Sequence, residues 1–404
     1  MHTQSKSCRL CKNTNMSMRF ALAPTPPAEW YYTEEFKHLT NETYPLNVYQ
    51  CEACGHVQLI DIIDPKVLYG NYFYTSQSSP GLCEYFKKYF TELTQFLNLP
   101  PRSIIADIGS NDGIFLQNFL YADFEVIGIE PSKTVAEIAK SKGINTINSF
   151  FDEHTVSEIL EIHGEIDLIT ANNVFAHNDD LSGMLKCIHS VLKPSGYFVF
   201  EVSNLHDTIF NKVFDFIYHE HLSYHSVKPL KKFMTTHNMS LFHVERTQSK
   251  GGTLRCYCKP STNSALVYSS VDKYIEFEEK SGLYSASTYD SYCNEIKSVG
   301  ENFKNKLLKA KQEGKLIAGY GASATVTTLI YHFDISNLID FLVDDNPIRH
   351  GTYSPGHHIK VLHPSEIKKQ GVDVVAILAW RFEQQIRQKH SDLLAETDVI
   401  VPEL

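Results

Sequence analysis

Two closely spaced cysteine pairs near the start of the chain, Cys8 with Cys11 and Cys51 with Cys54, restrict its fold more than any other feature. Zn(II) prefers four soft ligands at the corners of a tetrahedron, and two residues between paired cysteines let one tight turn supply two thiolates. The alternatives are two disulfides or unrelated free thiols, but CxxC disulfides are redox-active and need an oxidising context. The spacing therefore predicts a structural zinc site. Four cysteine ligands leave no open position for a catalytic water.

Length and composition are those of a globular protein with several domains. The chain has 404 residues, 43% hydrophobic and 21% charged, which is too long for one core and suggests two or three domains. A formal net charge of −10 argues against a nucleic-acid partner, because no basic stripe offsets phosphate repulsion. We identify no signal peptide, and the longest apolar run, 374–380, is far too short to span a bilayer. These features predict a cytoplasmic protein without a membrane partner. A monomer is one option for its oligomeric state.

The pattern of apolar segments divides the chain into three parts. Residues 1–75 are irregular, rich in proline and aromatic residues, and contain both cysteine pairs. In residues 76–262, buried strands alternate with helices as in a doubly wound parallel sheet, and residues 263–404 repeat this alternation after a long polar helix. The sequence thus predicts an α/β protein with an N-terminal zinc-binding module, a central Rossmann-like domain and a C-terminal second Rossmann-like domain. The main predicted strands are 104–108, 126–130, 167–170, 197–202, 339–343 and 374–379, and the main helices are 82–97, 133–142, 181–192 and 290–312.

A glycine-rich turn at residues 109–113 follows the first predicted strand. Glycines let the backbone approach a ligand, and the helix that follows offers unpaired N–H groups at its N-terminus. Glu130 ends the next strand, where a carboxylate accepts hydrogen bonds from ribose hydroxyls. The spacing differs from the G-x-G-x-x-G of nicotinamide dinucleotide loops and resembles the first motif of S-adenosylmethionine (SAM)-dependent methyltransferases. A structural turn without a ligand is the alternative. The predicted cofactor-binding residues are Asp107, Gly109, Asn111, Gly113, Glu130, Asn172 and Asn173.

Residues 218–224, Tyr-His-Glu-His-Leu-Ser-Tyr, concentrate titratable side chains around one carboxylate. A metal site or a surface loop is the simpler reading, and in an extended segment His219 and His221 share a face. Their spacing differs from the i, i+4 histidines of H-E-x-x-H metalloproteases, and no third ligand is evident. A histidine with a pKa near neutrality, oriented by Glu220, suits general-base catalysis instead.

Several motifs, taken in order, resemble the sugar C-methyltransferases, which add methyl branches to nucleotide-linked deoxysugars. The resemblance covers essentially the whole chain. It rests on the two cysteine pairs and on the strings at 109–113 (Gly-Ser-Asn-Asp-Gly), 173–177 (Asn-Val-Phe-Ala-His), 218–224, 251–255 (Gly-Gly-Thr-Leu-Arg), 320–324 (Tyr-Gly-Ala-Ser-Ala) and 344–347 (Asp-Asp-Asn-Pro).

This resemblance implies a nucleotide-diphosphate 4-keto-6-deoxysugar as substrate and SAM-dependent methylation at C-3. The 4-ketone acidifies the C-3 hydrogen, so a base generates an enolate that attacks the methyl group. By position in the motif, His221 is the base, Glu220 and Tyr218 orient it or hold the sugar, and His177 donates to the enolate oxygen. Tyr72 reaches the site from the zinc module; ordinary aromatic packing between domains is an equal alternative.

The second glycine-rich turn, residues 319–323, opens a helix whose N-terminus faces the pyrophosphate of such a substrate. A turn without a ligand is the alternative, since fold alone does not give function. Thr325 stands where relatives carry a longer polar residue, which argues against a cationic contact at this position. The predicted substrate-binding residues are Gly321, Ala322, Ser323 and Arg349.

Two other functions are compatible with parts of the sequence. An O- or N-methyltransferase would use the same cofactor fold and needs no acidic carbon. A non-catalytic zinc-binding module fused to degenerate Rossmann domains would need neither the cofactor loop nor the histidine motif. Both of these features are intact, and they favour the C-methyltransferase.

Overall fold

Strands form much of the N-terminal unit in the computed structural model, which describes residues 2–36, 42–65, 68, 75–78, 81–247, 249–261 and 268–404. Strand β2 pairs with β3 and β3 with β4, all antiparallel, while β1 pairs with β5. The expectation that residues 1–75 are irregular is wrong for these segments. Their short, half-buried strands alternate apolar and polar residues too briefly to stand out in the sequence. The strands are β1 (His2–Gln4), β2 (Met16–Thr25), β3 (Tyr44–Cys51), β4 (Val57–Leu59) and β5 (Asp61–Ile63).

The two cysteine turns bring all four thiols together. The Sγ atoms of Cys8 and Cys54 are 3.7 Å apart and those of Cys11 and Cys51 are 3.5 Å apart. All four Sγ atoms lie within 4.8 Å of one another. A tetrahedral site with Zn–S bonds of about 2.3 Å has edges of about 3.8 Å. The cluster therefore fits Zn(II), as the sequence predicted.

The central domain is a seven-stranded sheet in the order β12-β13-β10-β9-β6-β7-β8. Strands β6 to β10 are parallel, while β13 pairs antiparallel with both β10 and β12. The prediction of a parallel sheet is thus correct for the pairing of five strands and wrong at one edge, where β13 runs in the opposite direction to its neighbours. The strands are β6 (Ile104–Ile108), β7 (Glu125–Ile129), β8 (Asn145–Ile147), β9 (Ile166–Asn172), β10 (Leu192–Ser203), β11 (Ser223–Tyr224), β12 (Met239–Thr247) and β13 (Thr253–Pro260), of which β11 belongs to another sheet.

Helices pack on both faces of the central sheet. The first buries residues at helical spacing, Leu82, Phe86, Tyr89 and Leu93, as expected for an amphipathic helix. Asp180 caps a later helix by accepting the N–H of Gly183 at 3.0 Å. The helices of this domain are Leu82–Leu97, Ile114–Tyr121, Lys133–Ser141, Glu153–Ile162, Leu181–Val191, Leu205–Phe210 and Val227–Thr236.

The C-terminal domain has a parallel five-stranded sheet in the order β16-β15-β14-β17-β18. None of the helices within the described residues is both long and apolar enough to cross a membrane. The strands are β14 (Ile317–Tyr320), β15 (Phe341–Val343), β16 (Val361–Leu362), β17 (Val374–Ile377) and β18 (Asp398–Ile400), and the helices are Ser269–Lys280, Ala286–Gln312, Ala324–His332, Glu366–Lys369, Glu383–Lys389 and Ser391–Leu394.

The domain boundary predicted at 262/263 falls just after β13, the last strand of the central sheet. The next helix, Ser269–Lys280, still packs on that sheet, because its Val271 belongs to the same hydrophobic cluster as Leu241 and Val244 of β12. The C-terminal sheet starts only after the 27-residue helix Ala286–Gln312.

The N-terminal unit and the central domain share a sheet. Strand β11 pairs antiparallel with β4, Ser223 opposite Gln58 and Tyr224 opposite Val57. The N–H of Leu59 also donates to the carbonyl of Leu222 at 3.0 Å. The histidine-rich segment is therefore held by the sheet that carries the cysteine turns.

We predict that replacement of Cys51 by Ser abolishes stoichiometric zinc binding and yields unstable or insoluble protein, because metal binding and folding are coupled in such sites. Metal content per chain and thermal melting measure the effect. Cys83→Ser, which changes a half-buried cysteine outside the cluster, is the matched control. A stable and fully active Cys51→Ser protein would contradict a structural role for the metal.

Candidate active site

A cavity of about 2200 Å³ lies where the carboxyl ends of the two large sheets meet. Its lining includes Gly109 and Glu130 from the central domain and Gly321 and Arg381 from the C-terminal domain. Open α/β sheets bind ligands at these ends, where the strand order reverses. Pockets for one small molecule measure roughly 300–1,000 Å³, so this cavity has room for two ligands side by side.

Both glycines of the first turn are required by packing as well as by backbone conformation. Gly109 has φ +67°, and a Cβ there would overlap Cγ2 of Val174. Gly113 has φ +74°, and a Cβ there would lie 2.8 Å from Ile144 Cγ1. Gly109 lines the cavity, while Gly113 packs behind it at the start of the helix Ile114–Tyr121.

Glu130 holds the glycine turn in place from the end of β7. Its Oε2 accepts the N–H of Asn111 at 3.0 Å, and its Oε1 accepts the N–H of Ser132 at 2.8 Å. Burial raises the pKa of this carboxyl, and the two backbone hydrogen bonds oppose that shift. The side-chain oxygen of Asn111 accepts the N–H of Ser76 at 2.7 Å. Carboxylate oxygens have further lone pairs, so Glu130 can still accept bonds from a ribose.

Asp107 lies beneath the cavity and supports Asn172. Its Oδ1 accepts a hydrogen bond from the Thr170 hydroxyl at 2.6 Å and one from the Asn172 amide at 3.5 Å. Burial raises the pKa of Asp107 to about 7. Asn172 and Asn173 both line the cavity. We therefore expect Asp107 to act on the cofactor site through Asn172.

Residues 218–221 form a turn, which we call the histidine turn. It is closed by a bond from the N–H of His221 to the carbonyl of Tyr218 at 2.9 Å. The rings of these two residues are 4.1 Å apart, and the ring of His177 is 5.0 Å from that of His221. His221 Nδ1 donates to the carbonyl of Phe216 at 2.7 Å. A carbonyl only accepts, so Nε2 carries the lone pair that a base needs.

The turn separates the two histidines that an extended segment would have placed on one face. His221, Tyr218 and His177 line the cavity, whereas His219 is buried edge-on against Tyr44, with ring centroids 5.8 Å apart. Burial lowers the pKa of His219 to about 4. The expectation of a shared face is therefore wrong, and His221 lines the cavity without His219.

Glu220 does not make the orienting contact to His221 Nδ1, which the Phe216 carbonyl provides. Glu220 is 4% exposed, and burial raises its pKa to about 8. A role for Glu220 in holding a substrate stays a prediction, as do the roles of Tyr218 and His177. Tyr72 lies outside the described residues.

Arg9 links the first cysteine turn to the histidine turn. It is 2% exposed, and its guanidinium donates to the carbonyls of Leu59 and Leu222, the latter at 3.1 Å. Its Nε donates to Asp179 at 2.9 Å, two residues beyond His177. Sequence reasoning missed this residue. The available signal was an arginine between two zinc ligands, where a solvated side chain would be the ordinary expectation.

The second glycine turn lines the cavity, but carboxylates of the protein already accept two of its N–H groups. The N–H of Ala322 donates to Asp344 at 2.6 Å and that of Ala324 donates to Glu29 at 3.1 Å. The Arg349 guanidinium pairs with the same Glu29 and lies 4.3 Å above the ring of Tyr31. Gly321, Ala322, Ser323 and Arg349 all line the cavity. A phosphate at this turn would have to compete with two carboxylates, so the predicted pyrophosphate contact is not supported.

We predict that Glu130→Ala weakens the binding of SAM, the cofactor that the glycine turn indicates. Loss of a hydrogen bond to a charged group costs roughly 1.5–3 kcal/mol. Isothermal titration calorimetry measures the change, and Glu137→Ala, on an exposed face of the helix Lys133–Ser141, serves as control. Unchanged affinity in Glu130→Ala would rule out a ribose contact at β7.

We also predict that Glu220→Gln stabilises the protein increasingly between pH 5 and pH 8. The Glu220 carboxyl has a pKa of about 8 in the folded state against 4.5 normally, so wild-type stability is full below pH 4.5 and falls as pH rises towards 8. The slope is up to about 1.4 kcal/mol per pH unit. Melting curves across this range test it, with Glu137→Gln as control; a constant difference between the proteins would contradict it.

Three protein-family models match successive segments of the chain, and these segments correspond to the N-terminal unit, the central domain and the C-terminal domain. Residues 8–69 match a zinc binding domain, residues 83–244 a methyltransferase domain and residues 248–402 a C-methyltransferase C-terminal domain. The C-methyltransferase NovU of Streptomyces niveus is 26% identical over 388 residues, which cover 96% of this chain and 92% of that protein.

Solved structures with similar folds include a magnesium protoporphyrin IX methyltransferase from Synechocystis PCC 6803 with bound SAM, with 12% identity and a TM-score of 0.35 over 48% of this chain and 89% of that one. Another is the PH0226 protein of Pyrococcus horikoshii OT3, with 15% identity and a TM-score of 0.38 over 48% of this chain and 99% of that one. The three family matches in succession and the end-to-end relative confirm the resemblance noted in the sequence. The chain is therefore a SAM-dependent methyltransferase with an N-terminal zinc-binding domain, and it is similar to C-methyltransferases over nearly its whole length.

Proposed function

We propose that the enzyme methylates C-3 of a nucleotide-diphosphate 4-keto-6-deoxysugar through an enolate, in the biosynthesis of a branched deoxysugar. The observation that carries this proposal is the pairing of His221 and His177 across 5.0 Å in a cavity shared with the glycine turn. Methylation of a carbon requires a base to create the nucleophile, while many oxygen and nitrogen acceptors already have a lone pair. Two adjacent imidazoles can divide the tasks of base and oxyanion donor.

His221 is the proposed base. Its Nδ1–H is fixed by the Phe216 carbonyl, which directs the basic Nε2 lone pair away from that bond. The ring of Tyr218, whose centre lies 4.1 Å from that of His221, limits rotation of the imidazole. A base with a fixed tautomer and orientation removes a carbon-bound proton without first having to be ordered.

His177 is the proposed donor to the oxygen that becomes negative as the C-3 proton leaves. It lies in a short helical turn, Phe175–His177, directly after β9, which carries Asn172 into the cofactor site. A donor that is already positioned stabilises developing charge more than a mobile one. When bound at the glycine turn, SAM supplies the electrophilic methyl group.

The substrate side of the cavity lies against the C-terminal domain, since Gly321, Ser323 and Arg381 line it there. This arrangement suits an elongated substrate whose sugar reaches the histidine turn while its nucleotide extends along the second sheet. All nine cysteines lie within the described residues and none forms a disulfide. These free thiols support our proposal that the enzyme works in a reducing, cytoplasmic compartment.

Solvent exchange separates the base from the methyl donor. We expect the enzyme, incubated in D2O with a 4-keto-deoxysugar nucleotide and S-adenosylhomocysteine, to exchange the C-3 hydrogen of the sugar for deuterium. NMR measures the rate of this exchange. We predict that His221→Asn lowers this exchange by roughly 10²–10⁴-fold, while His189→Asn, on the exposed side of a helix, leaves it unchanged. His177→Asn should slow exchange less.

Other results of the exchange experiment would each contradict a different part of the proposal. A 4-ketone acidifies both flanking carbons, so exchange at C-5 would move the methylation site while keeping the mechanism. Wild-type exchange in His221→Asn together with its loss in His177→Asn would reverse the two roles. No exchange in the wild-type enzyme would favour an O- or N-methyltransferase.

A further inference from the structure

A half-buried arginine that this mechanism does not use lies at the end of the C-terminal sheet. Arg381 is in a short helical turn, Trp380–Phe382, that follows β17. Strand β14 is flanked by β15 on one side and β17 on the other, so the strand order reverses here. Parallel sheets bind ligands at the carboxyl ends of the strands beside such a reversal. Arg381 is thus at the expected ligand position of the second sheet.

The guanidinium of Arg381 is only partly satisfied by the protein. Its side chain is 13% exposed, and its Nη2 lies 3.7 Å from Asp215 Oδ2, beyond ordinary hydrogen-bond distance. That oxygen already accepts the indole N–H of Trp380 at 3.0 Å. Within the described residues, Arg381 Nη1 and Asp215 Oδ1 are buried without a hydrogen-bond partner. A guanidinium has five N–H donors, so this one retains donors for a ligand.

Other cations in the cavity wall are more tightly paired. Arg349 forms a close pair with Glu29. Lys389 lies 2.9 Å from Asp345 and Lys212 lies 3.2 Å from Glu295. Among the described lysines and arginines that line the cavity, Arg381 therefore has the longest ion pair and the most incompletely compensated charge.

The glycine pair at 251–252, noted in the sequence but not used so far, leaves space beside Arg381. Gly251 has φ +89°, and a Cβ there would lie 3.4 Å from Arg381 Nη1 and 3.5 Å from its Cδ. These are ordinary van der Waals distances, so a side chain at position 251 would occupy the space beside the guanidinium. Gly251 also lines the cavity, so the space that it leaves is continuous with the substrate site.

Phe216 connects Arg381 to the histidine turn. The guanidinium carbon lies 4.1 Å from the centre of the Phe216 ring, and this ring is 5.7 Å from that of His221. The Arg381 guanidinium carbon is therefore at most about 10 Å from the centre of the His221 ring. In a nucleotide sugar the pyrophosphate is attached at C-1, two ring bonds from C-3, so a phosphate at Arg381 and C-3 near His221 fit within this separation.

We infer that Arg381 binds the pyrophosphate of the substrate and that Asp215 is the positioning residue that holds it. This inference rests on the proposed function, since it requires a nucleotide-linked substrate. It moves the anion site from the second glycine turn, whose donors are occupied by Asp344 and Glu29, to the end of the neighbouring strand β17. Arginine suits this role because its planar fork binds phosphate through two parallel hydrogen bonds.

Calorimetry on the full-length zinc-loaded protein with S-adenosylhomocysteine tests the inference. The probes are inorganic pyrophosphate and the diphosphates of thymidine, uridine and guanosine. We predict that Arg381→Gln weakens binding of the preferred probe roughly 10- to 100-fold and that Arg381→Lys has a smaller effect. Lys389→Gln, which removes another cation from the cavity wall, should bind nearly as the wild type does.

Arg381→Gln removes the ion-pair partner of the buried Asp215 carboxylate, and this unpaired charge can destabilise the fold. The double variant Asp215→Asn/Arg381→Gln removes both charges and therefore tests the loss of Arg381 without that effect. Both proteins should retain wild-type affinity for S-adenosylhomocysteine. In turnover, KM for the nucleotide sugar should rise by a larger factor than kcat falls. A fall in kcat with unchanged KM would show that Arg381 acts only by supporting the histidine turn, and would overturn the inference.

The binding results distinguish the two proposals. If the wild type binds a nucleoside diphosphate and the Arg381 variants bind it equally well, the anion lies elsewhere and only this inference fails. If the wild type binds none of the four probes, the proposal of a nucleotide-linked substrate fails together with this inference.

Discussion

Backbone pairing between β4 and β11 is the interaction on which the active site depends. It adds the residues after the histidine turn to a sheet whose next strand, β3, ends at a zinc ligand, Cys51. Arg9 reinforces the junction from the first cysteine turn by donating to the carbonyl of Leu222. Zn(II) bound by the four cysteines would thus help to hold the histidine turn in place from outside the central domain, without contacting a substrate.

Sequence reasoning succeeded where the signal was local. The zinc ligands, the strand Ile104–Ile108 and the helix Leu82–Leu97 follow from spacing and periodicity, and the structure contains them all. It failed where contacts between residues far apart in the sequence determine the local conformation. The histidine turn separates two histidines that an extended segment would place on one face, and the carbonyl of Phe216 makes the orienting contact to His221 that was predicted for Glu220. No pattern in a sequence reveals which carbonyl a side chain meets after folding.

The second glycine turn shows why a motif alone does not define an anion site. Its N–H groups have the geometry that phosphate prefers, yet Glu29 from the N-terminal unit and Asp344 from β15's end accept their bonds. Glu29 also neutralises Arg349. These contacts join the first and third domains across the cavity. The helix N-terminus is therefore used for contacts between domains, which is why we place the anion at the end of the neighbouring strand β17.

Desolvation favours the uncharged forms of the ionisable side chains within the histidine turn. Burial raises the pKa of Glu220 to about 8 and lowers that of His219 to about 4. Burial also raises the pKa of Tyr218. Charges attract more strongly where water is excluded. A proton moved from substrate carbon to His221 would create an imidazolium and an enolate in these surroundings. Their mutual attraction would favour the reactive state before the methyl group is transferred.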